Sequence, residues 1–344
     1  MEIREQKKEN LKGRARQAAV VSAALSIALL ILFVAALCLG KYPVSPLESL
    51  KILSGGSGAD PMAVNVVTGL RLPRIIASVV CGAALTLSGA AYQGVFKNPL
   101  VSPDFLGVSQ GACVGAAVAI LSGMGSAAIQ GFAFAGGLMA VMLTLSIPFL
   151  MRSDSSIMLV LSGIIVGGVM SSVLGFLKYI ADPDTQLASI TYWQMGSFSY
   201  IKLEELLRIL PFMILPALLL VGMAWRIDIM SLGESDAKSL GSNVGLIRLL
   251  TVISATFLTA SAVCIAGTIG WVGLVIPHLG RMMVGTSNTR LFPAACLAGG
   301  VFMLAVDTVT RLVGPAEMPI SILTGIIGAP FYAWLLYKRR GMVR

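Results

Sequence analysis

Long uncharged runs separated by short charged clusters set the organisation of this chain. The first run covers about residues 18–40, and the second about 75–95, just after Arg71 and Arg74. Residues 105–151 then carry no charge over 47 positions. At about 1.5 Å per helical residue that is roughly twice the apolar thickness of a bilayer, so the run must fold back on itself. The stretch Ser122-Gly-Met-Gly-Ser126 is the expected turn, giving a third and a fourth span. Residues 155–177 form the fifth, and 207–225 the sixth. A second overlong run, 249–280, needs a break at 267–270 and yields the seventh and eighth. The ninth lies near 291–311 and the tenth near 318–337. A loop is expected after the first span, holding Pro43, Pro46 and the glycine-serine stretch 54–58; polar, irregular chain is expected at 179–206, and a polar segment of two short helices at 226–242.

Composition fits this pattern. Of 344 residues 56% are hydrophobic and only 12% charged, too few charges to coat a water-soluble surface. The expected fold is an all-α polytopic membrane protein of ten transmembrane helices, a single transmembrane domain over 1–344. The net charge of +9 is no nucleic-acid signal, because the charges sit at the ends of apolar runs, where they anchor and orient spans. An even number of spans puts both termini on one side. With that side cytoplasmic, 17 of the 25 lysines and arginines face the cell interior, including those of the basic segment 1–17. That basic start and the apolar run behind it resemble a secretion signal, but the run is too long for one and reads as an uncleaved first span.

Little in the chain carries chemistry. No P-loop is present, and His278 is the single histidine, so a histidine-based metal enzyme lacks ligands. Cys38, Cys81, Cys113, Cys264 and Cys296 all fall in apolar runs and read as small hydrophobes. No metal site and no cofactor are expected. Asp307 reads as the one deep carboxylate, with Arg311 four residues later on the same helical face. A carrier driven by protons or sodium would want better-placed acids, and is the alternative reading. Gly107, Gly111 and Gly115, and Gly163 and Gly167, recur at i, i+4 spacing and predict close helix contacts, within the chain or between subunits.

Five ordered motifs carry a resemblance. They are Leu70-Arg-Leu-Pro-Arg74; Lys97-Asn-Pro-Leu100 with Pro103-Asp-Phe-Leu-Gly-Val-Ser109; Leu232-Gly-Glu through Lys238-Ser-Leu-Gly241; Gly267-Thr-Ile-Gly-Trp-Val-Gly-Leu-Val-Ile-Pro-His278; and Ala305-Val-Asp-Thr-Val-Thr-Arg311 with Ala316-Glu-Met-Pro319 and Gly328-Ala-Pro-Phe331. In order and spacing, from about residue 65 to the C-terminus, they resemble the permease subunits of bacterial ATP-binding-cassette importers for iron–siderophore complexes, haem and vitamin B12.

The resemblance implies a type II importer fold in the cytoplasmic membrane of a prokaryote. It implies two permease copies around one pathway, two ATPase subunits inside and a substrate-binding protein outside. It assigns Arg71, Arg74 and Arg311 to meeting acids of the binding protein; snorkelling to lipid phosphate is the other reading. It assigns Leu232, Gly233, Glu234, Ala237, Leu240 and Gly241, read as part of two short helices, to contact with an ATPase; an ordinary amphipathic loop is the other reading. It places a cytoplasmic gate at Asn98 to Leu100 and at Ser155 and Ser156, where a helix N-cap following Asp154 is also a sufficient explanation. The fifth and tenth spans would face the partner permease and the pathway. The cargo implied is a metal chelate, a ferric siderophore first, with haem, a corrinoid or an oxyanion as alternatives.

Overall fold

The computed structural model describes residues 2–55, 60–152, 155–313 and 317–340. Ala316 and Asp154 of the motifs above lie outside them, as does most of the 54–58 stretch. Among the described residues the secondary structure is helical throughout. In chain order the α-helices are α1 (Glu2–Cys38), α2 (Pro46–Leu53), α3 (Pro61–Val64), α4 (Leu72–Val95), α5 (Val108–Leu121), α6 (Ser126–Leu150), α7 (Ser156–Ile180), α8 (Gln186–Met195), α9 (Leu203–Met230), α10 (Glu234–Ser239), α11 (Val244–Ala266), α12 (Val272–Val284), α13 (Asn288–Leu312) and α14 (Ile320–Arg340). A π-helical turn (Asn65–Arg71) leads into α4, and a 3-10 turn (Pro103–Leu106) precedes α5.

Seven helical stretches are long and apolar enough to cross a bilayer by length and composition; three shorter apolar helices lie at Val108–Leu121, Val272–Val284 and Ile320–Leu335. Each of these ten coincides with a span expected from sequence. Both overlong runs break as expected, at 122–125 and at 267–271. The differences lie between spans. The stretch 179–206 contains α8 rather than irregular chain. The second span starts earlier, because α3 and the π turn run into α4 without interruption. The segment 226–245 holds one short helix, α10, and not two, since α9 continues to Met230. Helix α1 likewise begins within the basic N-terminal segment.

The interior is built on α4 and α11, with α13 beside them, while α1 and α9 are largely exposed. Small and hydroxylated side chains explain this order. In lipid, helices gain nothing by hiding leucine, so the central ones are those whose backbones can approach closely. A Cβ at Gly89 would lie 1.8 Å from the Gly273 carbonyl oxygen, and one at Gly82 would lie 2.2 Å from that of Gly299. Ser88 Oγ and Thr259 Oγ1 are 2.8 Å apart, and Tyr92 Oη meets Thr256 Oγ1 at 3.2 Å, tying α4 to α11. The glycine spacing is used within the chain as well. Gly111 and Gly115 bring α5 against α6, and Gly163 of α7 meets the Phe105 carbonyl. Gly107 departs from the helical reading: at φ 81° it is the left-handed residue between the 3-10 turn and α5.

Candidate functional site

The structure has two polar ends. At one, the first turn of α4 meets the last turns of α13. Arg74 Nε donates to Asp307 Oδ1 at 2.8 Å and Oδ2 at 3.1 Å, and its NH1 donates to Glu317 at 2.7 and 2.9 Å. Arg311 Nε approaches Asp307 Oδ2 at 3.6 Å, so the helical pair expected from sequence forms. Ser199 Oγ donates to Glu317, which links the loop after α8 to the same cluster. Asp307 is fully buried, and two guanidinium groups compensate its charge. Burial alone would raise the Glu317 carboxyl; the Ser199 hydrogen bond and the Arg74 charge outweigh it and hold this group below the usual carboxylate range.

The three arginines expected to meet a binding protein are each more than nine-tenths buried and engaged inside the chain. Arg71 donates to the carbonyls of Leu37, Cys38 and Tyr42, and Arg311 NH2 to that of Ala36 at 3.3 Å. Arg71 and Arg311 therefore serve carbonyls at the C-terminus of α1, where the helix dipole favours positive charge, and Arg71 also holds the loop carbonyl of Tyr42. Arg74 is held by Asp307 and Glu317. The accessible charge of the cluster is Glu317, whose side chain is 38% exposed. Sequence reading passed over Glu317 because nothing local in Ala316-Glu-Met-Pro319 pairs with it.

At the opposite end lies the segment linking α9 to α11. Gly233 (φ 144°) opens α10 and Gly241 (φ 77°) closes it. Gly241 N donates to the Lys238 carbonyl at 2.9 Å and Ser242 N to that of Ala237 at 3.0 Å, a Schellman stop that needs glycine. Ala237 is buried, whereas Leu232 and Leu240 are each 63% exposed. Glu234 is the first helical residue; its side chain lies outside the described set. Asp228, one turn before this segment, accepts from Asn288 N at 2.7 Å, Ser287 Oγ at 2.8 Å and Thr289 Oγ1 at 3.1 Å. A carboxylate on α9 thus caps α13 from outside. Its one sequence signal is an acid ending an apolar run.

The two expected gate turns are local structures. Asn98 Oδ1 accepts from Leu100 N at 2.9 Å, an Asx turn with Leu100 exposed. Ser155 occupies the N-cap position of α7 in extended backbone, and Ser156 is the first helical residue, its side chain outside the described set. Among the described residues no cluster of three or more histidine, cysteine or acidic side chains could hold a metal.

Among the described residues, seven long apolar helices and three shorter ones, packed through close backbone contacts, define a multi-pass helical membrane protein. The chain belongs to the FecCD transport family, whose profile matches residues 28–338. It is 40% identical over 324 residues to the molybdate import system permease protein MolB of Haemophilus influenzae, covering 92% of this chain and 95% of that one. It is 36% identical over 277 residues to a probable iron chelatin transport system permease protein of Helicobacter pylori strain 26695, covering 80% and 84% respectively. Among solved structures it resembles a metal-chelate type ABC transporter in an inward-facing conformation, with TM-score 0.84 and 38% identity, over 93% of this chain and 99% of that chain. The protein is therefore the membrane permease of an ATP-binding-cassette importer, a multi-pass inner-membrane protein. Its family works with separate ATPase subunits and a substrate-binding protein.

Proposed function

We propose that the chain crosses the membrane ten times with both termini cytoplasmic, and that two copies form the pathway for a metal chelate, a ferric siderophore first. The single observation that carries the energy coupling is α10. It is a short glycine-bounded helix between two long ones, with Leu232 and Leu240 exposed on either side of it. An apolar pair at that spacing fits a groove on an ATPase, and movement there would rock α9 and α11 to alternate access. Under this reading Leu232, Gly233, Glu234, Ala237, Leu240 and Gly241 form the coupling contact. Asn98, Leu100, Ser155 and Ser156 form the cytoplasmic gate. The Arg74 end faces the binding protein; its acids would have to displace Glu317 to reach Arg74, and would find Arg71 and Arg311 occupied by the end of α1.

The chelate reading is supported by the Helicobacter pylori relative's name, while the Haemophilus influenzae relative's name favours an oxyanion. The test is co-reconstitution with the ATPase subunits and the substrate-binding protein of the importer. Uptake of a ferric siderophore should require ATP and should be lost, with assembly intact, when Gly241 is replaced by valine. Uptake of molybdate and not of any ferric chelate would overturn the cargo assignment.

A further inference from the structure

Helix α2 has three different sides. At about 100° per residue, Leu47, Leu50 and Leu53 fall within one arc of about 120°, Lys51 and Glu48 on the next edge, and Ser49 and Ile52 on the third. The third side packs on the protein. Ser49 and Ile52 are buried, with Ser49 Oγ 3.9 Å from Cys38 Sγ and Ile52 in one apolar cluster with Ala36 and Leu37 of α1. The leucine side is open. Leu47 is 81% exposed and Leu50 55%, with Lys51 exposed and Glu48 half-buried on the neighbouring edge.

The depth of α2 follows from α1. The stretch Gly13–Cys38 is strongly apolar, yet only 11% of its apolar window is buried in the chain, so its surface faces lipid. From Gln17 to Cys38 it carries no charge and covers about 33 Å of helix, close to the apolar thickness of a bilayer. Its C-terminus therefore lies at the membrane surface. There the chain turns back on itself. Val44 N donates to the Cys38 carbonyl at 3.4 Å, and Arg71 gathers the carbonyls of Leu37, Cys38 and Tyr42. Helix α2 is thereby held beside the last turn of α1, where hydrocarbon gives way to headgroups. Leu39 in the turn and Leu70 of the π-helical turn that packs against α2 are exposed as well, so the open apolar surface of α1 continues onto this corner.

We propose that α2 is an interfacial foot whose partner is the bilayer. Its leucine side lies among the upper acyl chains, and the edge with Lys51 and Glu48 faces headgroups and water. Lipid is already present at that level, whereas leucines left open to water there would be costly until some other partner docked. The foot fixes the depth of the turn that Arg71 holds, next to the Arg74 cluster. The inference needs only that α1 spans the membrane, and neither the cargo nor the other subunits of the importer.

The test uses the full chain in nanodiscs, its five cysteines replaced by alanine, with Leu50→Cys or Lys51→Cys carrying a nitrobenzoxadiazole fluorophore. Lipids with a nitroxide high on the acyl chain should quench the label at position 50 about two- to threefold more than that at 51, since an interfacial helix sinks its apolar side about 5–10 Å into the headgroup boundary. Iodide in the water should show the reverse order. Leu47→Cys should follow position 50, which separates the helix's placement from a distortion by one label. Saturating binding protein should leave the lipid quenching at 50 unchanged. Equal lipid quenching at 50 and 51 overturns the proposal. So does loss of lipid quenching at 50 when the binding protein docks, which gives the face to that protein. A disulfide joining position 50 of two unlabelled copies also overturns it and gives the face to a second copy.

Discussion

Arg74 Nε and Asp307 Oδ1 lie 2.8 Å apart, joining the first turn of α4 to α13 across 233 positions of sequence. Both side chains are buried, and Arg311 and Glu317 complete the cluster. Removing the carboxylate alone leaves the buried Arg311 without its anion and Arg74 with only the partly exposed Glu317. Asp307→Ala should therefore cost about 3–5 kcal/mol of stability. Thermal unfolding of the detergent-solubilised protein reads this directly. A loss below about 1 kcal/mol would mean the cluster is solvated in a way the geometry does not show.

Acidification should weaken the same end. Glu317 is held below the usual carboxylate range in the folded protein, between Ser199 and the Arg74 and Arg311 cations. A depressed folded value means that its stabilisation is fully present above the unfolded value and is lost as pH falls through the folded one. Melting temperature should therefore drop on acidification below the usual carboxylate range, and Glu317→Gln should show a smaller drop from a lower starting point. Identical pH profiles for the two proteins would remove Glu317 from the account.

Close backbone contact predicts a contrast between two glycines. Gly89→Ala drives a Cβ into the Gly273 carbonyl of the neighbouring helix, which neither backbone can yield without moving α12. It should cost about 1–3 kcal/mol or more. Gly168 on α7 has nothing within 4 Å of its would-be Cβ, and Gly168→Ala should be neutral or stabilising by up to about 1 kcal/mol. Melting the two variants side by side checks the central α4–α12 crossing.

Asp228 ties the base of the coupling segment to the start of α13. Asp228→Ala removes a cap worth about 0.5–2 kcal/mol. It should also raise ATP hydrolysed per cargo molecule in the assembled importer, because α10 would then move without α13. Asp228→Asn, which keeps an acceptor oxygen, should restore part of the coupling. A stability loss with an unchanged ratio would reduce Asp228 to a local cap.

The helices were legible from sequence because lipid imposes one rule, a long uncharged run, and length alone then demands the breaks at 122–125 and 267–271. The intervening polar segments obey no such rule. Helix α8 has only ten residues, with polar and apolar positions mixed, so its helicity comes from the contacts of Gln194 and Trp193 with the 267–271 break. The coupling segment looked like two helices because its first charges, Arg226 and Asp228, belong to a continuing α9. The arginines were legible as unusual but not in their use. Arg71 answers carbonyls 29–34 positions away and Arg74 answers Glu317 at 243, separations that no local pattern encodes. Asp104 reads as the edge of the uncharged run 105–151, and only the contacts of Phe105 and Gly107 with Gly163 and Gly167 of α7 reveal that it lies well along that helix.

The central claim is that this chain supplies the path and other subunits supply the power. The most direct measurement reconstitutes the purified chain in liposomes, with and without its ATPase and binding protein, and follows a radiolabelled ferric chelate. The account predicts no accumulation by the chain alone under an imposed proton or sodium gradient, and ATP-dependent accumulation by the full assembly. Uphill accumulation by the chain alone on an ion gradient would contradict it.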